Sequence, residues 1–488
     1  MGVSMAEATH RDMRVPLRLF RWCLFLLLSV VLAAKPAMAQ SILRDAETEA
    51  LFQEMAAPII KAGNLNPKNV RIVLINDDSI NAFVATGQAV YFHSGLITSA
   101  DNVNEVQGVM AHELGHITGG HAIRIQEGAK VATGIMLLSL LLGAAAMAMG
   151  GGEAGAGIMA AGQHAAMSKF LAFNRVQESA ADQAGASFLT KSGISGKGSL
   201  SFFKKLQNQE FRLAIPQDNG YARTHPLTGD RMALLENLYK ADPAWDKPTD
   251  PALEARFQRV KAKLFGYVED PKRTLVKYPE TDKSVPARYA RAYAWHKSAY
   301  PDRASAEADA LLKASPHDPY FLELKGQILL ESGKPDAALE PLREAVARAP
   351  DQPLIAALFG HALISTEDGD NFEEAKNVLR SAIGRDNSNP FAWYQLGIIY
   401  DREGNAAGAA LATAERQSLQ GNPMAAMASA QAAMAGMKPG TRECLRAQDI
   451  AMASRAIIEQ SSKRSEARRL EEAERRRPPA TGCGGGTG

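Results

Sequence analysis

The sequence predicts an α+β, mostly helical chain in two parts: a mixed domain with a small sheet, then an all-α solenoid. Three observations predict it. Short β-branched runs at Val70–Ile75 and Gln88–His93 flank the turn-rich Asn76-Asp77-Asp78-Ser79, and helical periodicity takes over after them. From about residue 285 small residues recur every 34 positions. Between the two parts Pro243, Pro248 and Pro251 punctuate a linker. The balance of 55 Lys+Arg against 53 Asp+Glu gives no electrostatic case for nucleic acid, and three cysteines exclude a disulfide scaffold.

The elements follow in order. Arg11, Arg14, Arg18 and Arg21 precede the apolar run Trp22–Ala34, and Ala37-Met38-Ala39 offers an A-x-A site. That order is the order of a secretory signal peptide, with cleavage expected after Ala39. The apolar run is short for a membrane anchor. Residues 1–39 hold five Lys/Arg and two Asp/Glu, so their removal turns the formal charge of +2 into −1. It also leaves only Cys444 and Cys483, in a compartment where a bridge between them could persist.

Residues 44–61 read as an amphipathic helix, and a second helical pattern covers about 103–124. The run 131–149 holds 19 uncharged residues, near the lower limit of a membrane span. Its Ala/Gly content, and Glu153 in the return path, favour an amphiphilic or buried helical excursion touching a membrane peripherally; a spanning hairpin is the alternative on length. Another helix is expected over about 173–191, one near 251–265, and an irregular stretch to about 284.

The repeats match the tetratricopeptide pattern. Gly326, Gly333, Ala338, Ala345 and Pro350 mark one unit; Ala292, Ala304 and Pro316 mark the unit before it. Gly360 and, after three extra residues, Ala375 and Ala382 mark the next, Trp393, Leu396-Gly397, Tyr400, Gly404 and Ala409 the clearest, and Gly421, Ala426 and Ala433 the last. Small residues at these sites let paired helices approach, so no unit buries its face alone and the units must stack. The expected domains are a leader at 1–39, a mixed domain at 40–245, a linker with a helix at 246–284, repeats at 285–440, and a charged, Gly-rich tail at 441–488.

Chemistry concentrates in His112-Glu113-Leu114-Gly115-His116. On a helix the two histidines lie about 40° apart and one turn along, so both imidazoles reach one metal ion, with Glu113 beside them to polarise a bound water. A catalytic zinc needs a third protein ligand. His121 is one residue out of register for the pattern that would recruit it, and His164 stands without a companion. Glu178 lies one turn before Asp182 on a helix face, where the first carboxylate can ligate and the second can take a histidine N–H.

Asn81-Ala82-Phe83 ahead of Gly87, the Ala111–His116 core, the Glu178–Asp182 element, Thr224-His225-Pro226 and Arg231 together resemble the CAAX-prenyl-protease/HtpX family of zinc metallopeptidases, in the gluzincin arrangement. The resemblance implies one Zn²⁺ per chain on His112, His116 and Glu178, with Glu113 as general base. His225 resembles the family histidine near the metal, either stabilising the oxyanion or occupying the fourth zinc position at rest, with Asp182 and Arg231 supporting the ligands. Joined to a signal peptide and repeats, it implies a periplasmic endopeptidase. Its expected substrates are unfolded or misassembled outer-membrane proteins, aligned as an added strand on 88–93, and its repeats are expected to meet the β-barrel assembly machinery. A repeat-based chaperone with little proteolysis and an integral membrane metalloprotease are the competing readings.

Overall fold

The computed structural model describes residues 41–85, 87–213 and 225–475. The leader, Thr224 and Cys483 lie outside them. The first part is built on a four-stranded sheet: β1 (Ser41–Leu43), β2 (Arg71–Asn76), β3 (Ala82–Ala85) and β4 (Ala89–His93), in the order β1-β2-β4-β3. β2 and β4 run parallel, with Leu74 opposite Phe92, and β3 returns antiparallel to β4, with Val84 opposite Val90. Sequence reading found the two central strands and missed the flanking ones, whose three or four residues are too few to show a period.

This order overturns one expectation. β4 is paired on both sides, so the 88–93 segment cannot accept an added strand; the edges among the described residues are β1 and β3, and β3 is the one beside β4.

α1 (Ala46–Ala62) starts at Asp45, whose side chain accepts from the Thr48 N–H at 2.7 Å. α2 (Ser94–Ser99) follows β4 directly, and α3 (Val103–Thr118) is capped by Asn102, which accepts from the Glu105 N–H at 3.0 Å. α3 packs on the sheet and on α1 through Phe52, Phe92, Val106, Val109 and Met110, all essentially buried. The helical pattern expected to run to 124 breaks at Gly119-Gly120, because Gly120 takes the left-handed conformation (φ 63°) that glycine adopts without cost. α4 (His121–Ala148) and α5 (Gly152–Ser192) then form a long antiparallel hairpin whose C-terminal half returns to pack on α3. The run 131–149 is neither buried nor amphiphilic: only 6% of its most apolar window is covered.

α6 (Lys197–Leu213), α7 (Gly229–Lys240), α8 (Pro251–Val268) and α9 (Pro271–Lys277) complete the first part, so the stretch read as irregular up to 284 contains a short helix. Among the described residues ten more helices pair as five antiparallel hairpins: α10 (Val285–Lys297) with α11 (Pro301–Ala314), α12 (Pro319–Glu331) with α13 (Pro335–Arg348), α14 (Pro353–Ser365) with α15 (Asp370–Arg385), α16 (Pro390–Arg402) with α17 (Ala406–Leu419), and α18 (Pro423–Gly436) with α19 (Arg442–Arg475). The small residues lie where the repeat pattern puts them. Ala338, Ala345, Ala375, Ala382, Ala426 and Ala433 are buried, and a Cβ on Gly326 would sit 2.3 Å from Leu342. The start of the charged tail is itself structural, since Ala447 and Ile450 of α19 pack against α18. Cys444 is partly exposed and unpaired among the described residues.

Charge joins the two parts. Buried Glu47 at the start of α1 accepts from Arg259, from the Tyr289 hydroxyl at 2.7 Å and from Lys263 at 3.4 Å. Arg44 reaches Asp386 at 2.7 Å, and Arg259 reaches Asp318 at 2.6 Å.

Candidate metal centre

α3 presents His112 and His116 from successive turns of one face, and α5 presents Glu178 opposite them. The two helices approach closely because Gly115 lies over Ala181 and Gly185 over Ala111, where side chains would hold them apart. His225 enters from the segment just before α7. Its Nδ1 lies 3.1 Å from both Glu178 oxygens and 3.3 Å from His112 Nε2. His112 Nε2 and His116 Nε2 are 3.1 Å apart, and each is 3.5 Å from a Glu178 oxygen. All four residues are buried, and one donor atom from each lies within 4.8 Å of the others.

These separations test whether the group fits an ion. Donors at 2.0–2.1 Å from a tetrahedral zinc lie about 3.4 Å from one another, and the spacings of 3.1 to 3.5 Å bracket that value. Three imidazoles and a carboxylate are also a donor set zinc accepts. Zinc-like ligation therefore fits the residues present.

The surrounding groups orient the donors. Asp182 Oδ1 lies 3.0 Å from His112 Nδ1, as expected for a carboxylate that takes the far N–H and frees Nε2. Arg231 grips Asp182 with both arms, Nε to Oδ2 at 2.7 Å and Nη2 to Oδ1 at 2.9 Å, and reaches Glu178 Oε2 at 3.1 Å. The same guanidinium donates to the Pro226 carbonyl at 2.7 Å, which ties the His225 segment to α5. The structure thus brings together His112, Glu113, His116, Glu178, Asp182, His225 and Arg231. His164 stays exposed on the hairpin, outside the group.

Two contributions were not read from sequence. His121, set aside as a ligand, points Nδ1 at His116 Nδ1 at 2.9 Å, so it backs His116 as Asp182 backs His112. Its position in the first turn after Gly120 was the available signal. Gln177 lines the cleft with its amide oxygen unbonded among the described residues, and nothing in its sequence context marks it.

Electrostatics separate the acids. Burial opposes charge on Glu178, but His225 and His112 hold its carboxyl below the usual range. Burial likewise opposes charge on Asp182, which His112 and Arg231 outweigh. Burial disfavours a protonated His112, yet Asp182 and Glu178 push its pKa up to about 10. Glu113 differs. It is fully buried, neither oxygen has a hydrogen-bond partner among the described residues, and its nearest ionisable neighbour is His225 Nε2 at 3.6 Å. Burial therefore pushes its carboxyl up, toward the range of a working acid–base. Its oxygens face a cleft of about 380 Å³ walled by Phe83 and Val84 of β3, Ile125 of α4, and Phe170 and Phe173 of α5.

Residues 43–239 match the model of peptidase family M48, so this part of the chain carries an M48 peptidase domain, and the resemblance read from the motifs is borne out. The chain is 27% identical over 300 residues to the beta-barrel assembly-enhancing protease of Yersinia pestis, covering 60% of each protein. It is 26% identical over 313 residues to the protein of that name from Escherichia coli (strain K12), covering 63% of this chain and 62% of the relative. The aligned region thus spans about 60% of the length of these relatives. Among solved structures, YrrB, described as a TPR protein with an unusual peptide-binding site, is 21% identical, with a TM-score of 0.30, over 36% of this chain and 92% of that one.

Proposed function

We propose that this chain is a periplasmic zinc endopeptidase that degrades misfolded or stalled outer-membrane proteins, and that its repeats assist β-barrel assembly by meeting the assembly machinery. The observation that carries the peptidase reading is a four-donor group at zinc-like spacing with one buried carboxylate beside it that no hydrogen bond engages among the described residues. The similarity to beta-barrel assembly-enhancing proteases supports β-barrel proteins as the substrate class.

His112, His116 and Glu178 would hold the ion, which supplies Lewis acidity toward the peptide carbonyl and lowers the pKa of water. Asp182, held by Arg231, keeps His112 in the tautomer whose Nε2 is free to ligate. Glu113 takes the proton from the attacking water and passes it to the leaving amine; with neither oxygen hydrogen-bonded among the described residues, it is available for both transfers. His225, with Nδ1 3.1 Å from Glu178, would either complete the donor set at rest or stabilise the oxyanion that develops on the substrate carbonyl. An extended substrate adds to the open edge of β3, where Phe83 and Val84 wall the cleft and main-chain pairing tolerates many sequences. The Gln177 amide oxygen can accept a substrate N–H across from that edge.

The test is digestion of casein and of an unfolded outer-membrane protein, with and without chelator, beside Glu113→Gln. Cleavage that stops with chelator and with Glu113→Gln, while zinc content is kept, supports the reading. Cleavage that is unchanged in Glu113→Gln sinks it.

A further inference from the structure

We infer that the α4–α5 hairpin inserts into a lipid bilayer and holds the catalytic cleft at the membrane surface. Four observations carry this. First, the exposed apolar side chains cluster here, and Leu137, Leu138, Leu140, Leu141 and Leu142 are each more than half exposed. At 100° per residue these positions span about 200° of the helix, all but the side that Gly143 turns to α5; a protein groove needs one narrow stripe, whereas so broad an apolar face suits hydrocarbon. Second, 19 residues from Val131 to Met149 carry no charge, and at 1.5 Å each they extend about 28 Å, close to a bilayer's hydrocarbon core.

Third, the two helices meet through small residues. A Cβ on Gly143 would lie 2.8 Å from the Gly155 carbonyl oxygen, and one on Gly155 would lie 2.5 Å from the Gly143 carbonyl oxygen. Backbone contact of this kind suits helices whose association cannot rely on the hydrophobic effect. Fourth, the charges mark a boundary. Arg124, Lys130, Lys169 and Arg175 ring the hairpin's base, all exposed, with Glu127 the acid among them, and Glu153 sits at the tip. The cationic ring fits anionic headgroups on the near face, and Glu153 the far interface.

The hairpin also satisfies a constraint set by the site. α4 begins at His121, which backs His116, and α5 carries Glu178 and Asp182 in the half that returns to α3. A chain that must bring both ends back to one ion can enter the membrane only as a hairpin. Phe170 and Phe173 line the cleft immediately after Lys169, so the cleft opens at the headgroup level. Peptides would then be cut close to the lipid surface. The insertion itself does not rest on the peptidase reading.

The test is flotation of the full-length mature protein with phosphatidylethanolamine/phosphatidylglycerol vesicles, beside Leu137→Lys/Leu141→Lys. A second measurement places a bimane on Leu141→Cys in a Cys444→Ser/Cys483→Ser background. The expected result is flotation of the wild type, at least tenfold less for the double lysine variant with unchanged circular dichroism and zinc content, and bimane quenching by mid-chain brominated lipid. If the double variant misfolds, the quenching of bimane at 141 decides alone. Protein that stays at the bottom of the gradient overturns the inference. So does bimane that is shielded without vesicles in a species sedimenting as a dimer, which would make a second copy the cover. Casein cleavage measured in the same samples reports the active site separately.

Discussion

Gly115→Ala tests whether the α3–α5 approach sets the metal centre. A Cβ at residue 115 would lie 2.6 Å from the Ala181 carbonyl oxygen and 3.0 Å from its Cα, against 3.4 to 4 Å for ordinary contact. The contact is backbone, so no rotamer can relieve it, and the helices must part by about 0.8 Å. Overpacking of this size costs about 1–3 kcal/mol, an expected fall of several degrees in thermal midpoint. The larger effect falls on the metal, because His112 and His116 ride on one helix and Glu178 on the other. Donors already 3.5 Å from the carboxylate would move beyond tetrahedral spacing. Zinc affinity should fall about 10- to 100-fold, the range seen when groups supporting a ligand are lost. Gly185→Ala is the control. There the new Cβ would meet Ala111 and His112 backbone at 3.1 Å, a few tenths of an ångström too close, and affinity should change less than about threefold. The assay is competition with a chromophoric chelator, alongside thermal unfolding. Wild-type zinc affinity and midpoint in Gly115→Ala would refute the reasoning.

Three further outcomes are expected. Glu178→Gln should lower bound zinc by metal analysis; full occupancy would return attention to His121. Arg231→Met leaves Asp182 buried without its bidentate partner, so it should destabilise the domain by about 3–5 kcal/mol and lower zinc content, both read in one denaturant titration with metal analysis. At the junction of the two parts, burial pushes the Glu323 carboxyl from 4.5 up to about 8, and its Oε2 is unbonded among the described residues. The folded state therefore binds a proton that the unfolded state has released above about pH 4.5. Stability from this group is full below that pH and is lost as pH rises toward 8. Glu323→Gln should flatten that decline and raise the thermal midpoint at pH 8 relative to wild type; an unchanged slope between pH 5 and 8 would count against it.

The readable parts of this chain were those in which local spacing carries the physics. Helical geometry alone puts His112 and His116 on one face with Glu113 beside them, and the Glu178–Asp182 spacing does the same for a carboxylate pair. The 34-residue recurrence of Gly and Ala is a packing requirement repeated along the chain, so the helical hairpins were legible before any contact was known. What sequence could not decide depended on partners distant along the chain. Strand order is a choice among pairings: β3 is four residues long, yet its place outside β4 moves the open edge from 88–93 to 82–85. His121 was set aside because it stands one residue out of register for the pattern that would recruit it; Gly120 turns the chain and swings its ring behind His116. The run 131–149 has a composition that fits a buried helix, a surface helix or a membrane span alike. Only the tertiary structure shows that no described part of the chain other than α5 packs along it, because burial belongs to neighbours and not to the residues themselves.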